Sequence, residues 1–68
     1  MDIVSNLRKI RTDRGYSQYD IADVLDTTQQ VYSRYENGLN EIPVHHVITL
    51  CKFYQISADW LLGLKEEP

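Results

Sequence analysis

The stretch that most limits what this chain can become is Thr27-Thr28-Gln29-Gln30-Val31-Tyr32-Ser33-Arg34-Tyr35-Glu36-Asn37-Gly38. It reads as a short helix with a capping threonine at its start and an Asn-Gly stop at its end. Tyr32 and Tyr35, three apart, predict a rod anchored on a core by its phenol rings. Gln29, Gln30, Ser33 and Arg34 then face outward together. A glutamine amide offers a donor and an acceptor side by side, which matches the N6/N7 edge of adenine in the major groove. An arginine fork matches guanine O6/N7 or a phosphate. A helix that leads with such groups suits reading DNA from its N-terminal end.

Size and charge narrow the field. A chain of 68 residues has room for one domain and one small core. It buries only about 60% of its unfolded surface, and dimerisation would add to that. The single Cys51 excludes an internal disulfide and a multi-cysteine zinc site. No apolar run is long enough to span a bilayer, and no secretory leader is visible, so a cytoplasmic chain with no membrane partner is expected. Seven Lys and Arg against ten Asp and Glu give a net charge of −3. Arg8, Lys9, Arg11, Arg14 and Arg34 lie in the first half, but Asp13, Asp20, Asp23 and Asp26 lie among them. That mixture leaves no clean basic patch, so non-specific DNA binding is expected to be weak.

Start and stop signals divide the chain into five helices. Ile3, Leu7 and Ile10 give one apolar stripe over about residues 2–13, and Gly15 follows as a left-handed stop. Ser17 with Asp20 makes a capping box, and Tyr16 with Ile21 stands at the positions of a hydrophobic staple. The second helix turns Ile21, Ala22 and Leu25 inward. The third spans about 28–36. Pro43 suits the first position of a fourth helix, which Val44, Val47, Leu50, Cys51 and Tyr54 continue in helical period. Ser57 caps a last short helix that Trp60, Leu61 and Leu62 bury and Gly63 ends. Strand signals are poor throughout. The expected fold is all-α, a compact five-helix bundle over residues 1–64 with a short acidic tail at 65–68.

Five motifs in order carry a family resemblance: Ser17-Gln18, Ile21-Ala22, Thr27-Thr28-Gln29-Gln30, Glu36-Asn37-Gly38 and Asp59-Trp60-Leu61-Leu62-Gly63. Over residues 3–64 the chain resembles the helix-turn-helix domain of the lambdoid phage repressor and Cro family, the xenobiotic-response-element class. The resemblance implies close approach of two helices at Ala22. It also implies that Arg11 pairs with Glu36 and locks the third helix to the first. Asp26 and Gln55 depart from the family, which usually has glycine at the first position and often at the second.

The resemblance divides the candidate site into three parts. Gln29, Gln30, Ser33 and Arg34 are the candidate base readers. Ser17, Gln18, Thr28, Asn37 and Gly38 are the candidate contacts to the DNA backbone, which fix register and carry no sequence information. Arg11 and Glu36 are structural. Val31 is a partly exposed hydrophobe or a thymine-methyl contact, and Tyr19 is within reach of a phosphate. His45 and His46 point about 100° apart on a helix and read as solvated residues, not metal ligands. Cys51 reads as a small core hydrophobe. No cofactor, metal or small-molecule ligand is expected.

The leading expectation is a sequence-specific transcriptional regulator of the repressor class, bound to a palindromic operator in double-stranded DNA as a homodimer. Its two recognition helices would enter successive major grooves about 34 Å apart. The expected dimer surface is the last two helices, around Trp60 to Leu64. The alternative is an antitoxin-like or anti-repressor module that binds protein through Asp20, Asp23 and Asp26. An enzyme is excluded by the lack of a cleft, a phosphate loop or zinc spacing.

Overall fold

Four helix starts are fixed by side chains that accept a backbone N–H: Asp2 from Ser5, Ser17 from Asp20, Thr28 from Val31 and Ser57 from Asp59. At Ser17 the box is reciprocal, because its own N–H donates to the Asp20 carboxylate at 2.9 Å. The computed structural model describes residues 2–68, and its helices follow these starts. They are α1 (Ile3–Asp13), α2 (Gln18–Val24), α3 (Gln29–Glu36), α4 (Val44–Tyr54) and α5 (Ala58–Leu61). No strand occurs among the described residues.

Helix α4 is the one start without a side-chain cap. Pro43 is its N-cap, one place before the expected first helical position. Its φ of −62 suits a helix, but its ψ of 149 keeps it extended. Helix stops use left-handed backbone at Gly15 (φ 79) and Gly38 (φ 72). The two family departures also adopt it: Asp26 (φ 56) in the turn between α2 and α3, and Gln55 (φ 57) after α4. The backbone geometry survives there without the glycine.

One core joins all five helices through Leu7, Ile10, Ile21, Ala22, Leu25, Tyr32, Tyr35, Val47, Leu50, Tyr54, Trp60 and Leu61. Helix α3 packs on α2 and α1, and α5 packs on α4 and α1. Asn6, itself buried, donates its amide to the Trp60 carbonyl at 2.8 Å and ties α1 to α5. Cys51 is partly buried against the core.

Several expectations need correction. Val44 is 74% exposed and Leu62 is 45% exposed, so neither is core. Trp60 and Leu61 are buried in the core, which leaves Leu62, Gly63 and Leu64 of the expected dimer segment at the surface. Tyr16 stands beside Phe53, with ring centroids 5.4 Å apart, and 6.3 Å from Tyr54. Next to it Arg14 donates to the Tyr54 carbonyl at 3.0 Å, a cation at the C-terminal end of α4. No helix among the described residues is long and apolar enough to cross a membrane.

Candidate nucleic-acid interface

Tyr32 is fully buried and Tyr35 nearly so, and these two rings set the rotation of α3. Gln30 and Arg34 are exposed, while Gln29 and Ser33 are half-buried along the edge of the same polar side. The four candidate base readers therefore share one outward ridge, as the spacing requires. Among the described residues Arg34 has no ion-pair partner.

Behind the ridge lies a buried carboxylate. Both Glu36 oxygens are engaged: Arg11 Nε donates to Oε2 at 2.7 Å, and Arg11 Nη2 donates to Oε1 at 3.1 Å. Gln18 Nε2 also donates to Oε1 at 3.1 Å, and the Arg8 guanidinium lies 3.6 Å away. Burial alone would raise the Glu36 carboxyl, but donors from Arg11 and Gln18 outweigh it and hold the group below its ordinary 4.5. The Tyr32 hydroxyl lies near this carboxylate but forms no hydrogen bond of adequate geometry. Burial pushes the Tyr32 phenol far up, and the adjacent carboxylate adds to that shift. Arg11 shifts upward, first because it hydrogen-bonds Glu36. Its remaining Nη1 donates to the Tyr16 carbonyl at 2.9 Å, so one side chain ties together α1, the turn before α2, and the end of α3.

Gln18 passes this order outward. Gln29 Nε2 donates to Gln18 Oε1 at 2.8 Å. A carboxylate only accepts, so the Gln18 nitrogen must face Glu36 and its oxygen must face Gln29. The Gln29 nitrogen is turned inward in consequence. Its oxygen and its second N–H stay available, which is the acceptor–donor pair that adenine demands.

The candidate backbone contacts are already partly engaged within the fold. Ser17 and Thr28 accept backbone N–H bonds as caps, and each keeps its hydroxyl proton, the half of the group a phosphate can use. Asn37 accepts from Arg8 Nη2 at 3.1 Å and donates to Ser33 Oγ at 3.2 Å. The amides of Asn37, Gly38 and Leu39 point to the carbonyls of Ser33, Tyr35 and Arg34. Donation from the Gly38 backbone, expected from sequence, is therefore already taken up in closing α3. The Gln18–Gln29 bond and the Arg8–Asn37–Ser33 chain were not foreseen. Only the pairing of Arg11 with Glu36 was.

A small α2 laid across an α3 that presents a polar ridge is the arrangement of a helix-turn-helix domain. The chain belongs to the helix-turn-helix family, of the Cro and phage-repressor type: the family model matches residues 7–61. It is 41% identical over 56 residues to YonR, an SPbeta prophage-derived HTH-type transcriptional regulator of Bacillus subtilis, covering 82% of this chain and 52% of YonR. It is 29% identical over 66 residues to the HTH-type transcriptional regulator ImmR of the same organism, covering 97% of this chain and 52% of ImmR. The chain thus spans about half the length of the curated relatives it matches. The P22 c2 repressor, solved in complex with a synthetic operator, shares the fold with a TM-score of 0.84 at 20% identity, covering 96% of this chain and 98% of that one. A transcriptional regulator from Listeria innocua matches with a TM-score of 0.88 at 22% identity, covering 98% of this chain and 63% of that one.

Proposed function

We propose that this chain is a sequence-specific DNA-binding domain of a transcriptional regulator, which reads operator DNA with α3. The observation that carries the reading is the Gln29 amide, oriented from behind by Gln18 and Glu36 before any ligand arrives. A preset amide loses less freedom on binding than a free one, and it discriminates better. In this reading Gln29, Gln30, Ser33 and Arg34 meet base edges. The hydroxyls of Ser17 and Thr28 and the spare N–H of Gln18 meet phosphates. The relatives' names and the operator-bound P22 c2 repressor support the same reading. Two copies on a palindrome would set their α3 helices about 34 Å apart.

Selection of duplexes from random DNA by the purified chain tests this. A half-site should emerge, twice, at fixed spacing. Gln29→Ala should flatten one or two positions and cost roughly 1–3 kcal/mol there. A uniform loss over all sequences would refute base reading by Gln29. No binding even at low salt would favour a protein-binding module that uses the acidic side of α2.

A further inference from the structure

We propose that Ser33 reads a hydrogen-bond acceptor on a base edge, because a relay from Arg8 through Asn37 engages its oxygen and leaves its proton to give. The inference rests on α3 being the reading helix. Arg8 Nη2 donates to Asn37 Oδ1 at 3.1 Å, and Asn37 Nδ2 donates to Ser33 Oγ at 3.2 Å. A guanidinium carries donors only, so it admits only the oxygen of the Asn37 amide. That choice turns the amide nitrogen toward Ser33. Ser33 Oγ receives this proton and keeps its own to give.

A helical hydroxyl usually returns its proton to the carbonyl four residues back. Thr12 in α1 and Thr49 in α4 do so, each at 2.9 Å. Among the described residues Ser33 makes no such bond; its one side-chain contact is the proton it accepts. It stands on the stripe Gln29, Ser33, Asn37, one turn apart along α3. Arg8 is held in place by the Glu36 carboxylate at 3.6 Å. The same buried charge therefore roots two relays, one that orients Gln29 and one that polarises Ser33.

A free serine hydroxyl bonds donors and acceptors alike, and so reads little. The relay biases that choice: an oxygen that already accepts one bond is a stronger donor and a poorer second acceptor. In the major groove guanine offers only acceptors, thymine offers O4 and adenine offers N7 beside its N6 donor, whereas cytosine offers only its N4 donor. Ser33 should therefore favour guanine or thymine over cytosine on the strand it faces.

Operator selection with the full chain and three variants tests this. Ser33→Ala identifies the position, which should lose about tenfold in discrimination. Asn37→Asp replaces an amide by a carboxylate of the same shape. It then accepts from Arg8 and from Ser33 both, so the hydroxyl proton turns inward and lone pairs face the groove. Preference at that one position should move toward cytosine at the expense of guanine and thymine; adenine, with both an acceptor and a donor, does not report the switch. The added negative charge lowers affinity for all sequences alike, so the ratio between bases is the readout. Arg8→Met gives an independent arm: the Asn37 amide is free to rotate, and preference at that position should broaden to all bases. Melting curves check that each variant folds.

A Ser33→Ala profile identical to wild type overturns the proposal. So does an Asn37→Asp protein that folds and keeps guanine or thymine there. If the wild type selects a half-site but shows no preference opposite Ser33, the relay alone is refuted. If it selects no DNA, the reading of α3 fails, and the relay proposal with it.

Discussion

Glu36 has no exposed side-chain surface, whereas Arg11 keeps 13% of its own. A charge so placed is tolerated only with its partners, and removing one partner leaves the other uncompensated. Arg11→Ala should therefore cost roughly 3–5 kcal/mol of stability, read as a lower midpoint in urea. The Arg11 guanidinium faces inward, so base preference of the surviving folded fraction should stay as in wild type. Equal midpoints would refute the structural role. The same carboxyl predicts an acid limb. Its folded pKa lies below its ordinary 4.5, so its contribution is complete above that value. As pH falls through the folded pKa the contribution is lost. Melting temperature should drop as the solution is acidified below about pH 5, and Glu36→Gln should flatten that drop while starting from a lower plateau. The partners of Glu36 were legible only in part. Arg11 lies 25 residues away and Arg8 lies 29 residues from Asn37, distances that no periodicity spans. Their geometry depends on how α1 crosses α3, and that crossing is fixed by packing. Local caps, with donor and acceptor two or three residues apart, were legible because both share one turn.

Helix boundaries depend on two kinds of stop, and the chain uses both. Gly15 and Gly38 take left-handed backbone without cost from a Cβ. Asp26 and Gln55 take it against their preference. A left-handed residue other than glycine costs roughly 1–2 kcal/mol, less for aspartate, whose side chain bonds locally. Glycine gives back part of that through the entropy of the unfolded chain. Gln55→Gly should therefore stabilise by about 0.5–1 kcal/mol, and Asp26→Gly by less. Thermal melts of the two single variants decide it, and a fall in both would refute the strain argument. Both positions were visible in the sequence as departures from the resembling family, and the strain was not. The start of α4 was misplaced by one residue for a related reason. Proline fixes φ but leaves ψ open, and only the extended ψ of Pro43 makes it a cap. The inward rows of α1, α2 and α3 were legible from their spacing. Val44 and Leu62 were misjudged because period gives a stripe but not its width.

At the scale of the whole molecule the cations are mostly committed. Arg8, Lys9, Arg11 and Arg14 each bond within the chain. No Lys or Arg lies between Arg34 and Lys52. Under the proposed reading, a net charge of −3 predicts weak phosphate attraction and little affinity from one half-site alone. Two half-sites bound together gain through effective concentration, by about 10²–10⁴-fold over one. If two copies bind as proposed, that gain would supply the affinity that one half-site lacks. The candidate surface for the dimer is the apolar groove that Val44 and Leu62 border. Leu39, Val44, Ile48, Leu62 and Leu64 are all exposed, and Leu62 and Val44 border a groove of about 310 Å³ lined also by Ile3, Val4 and Ile42. Leu62→Lys places a charge on that face at a position already 45% exposed, so the fold should survive with an unchanged helical spectrum. Sedimentation should then show a monomer at concentrations where wild type is a dimer. Operator affinity should fall by about 10²–10⁴-fold, while the preferred half-site, selected alone, stays the same. A variant that remains dimeric would move the interface off this face. A monomer that binds the full operator as tightly as wild type would show that one copy of α3 suffices.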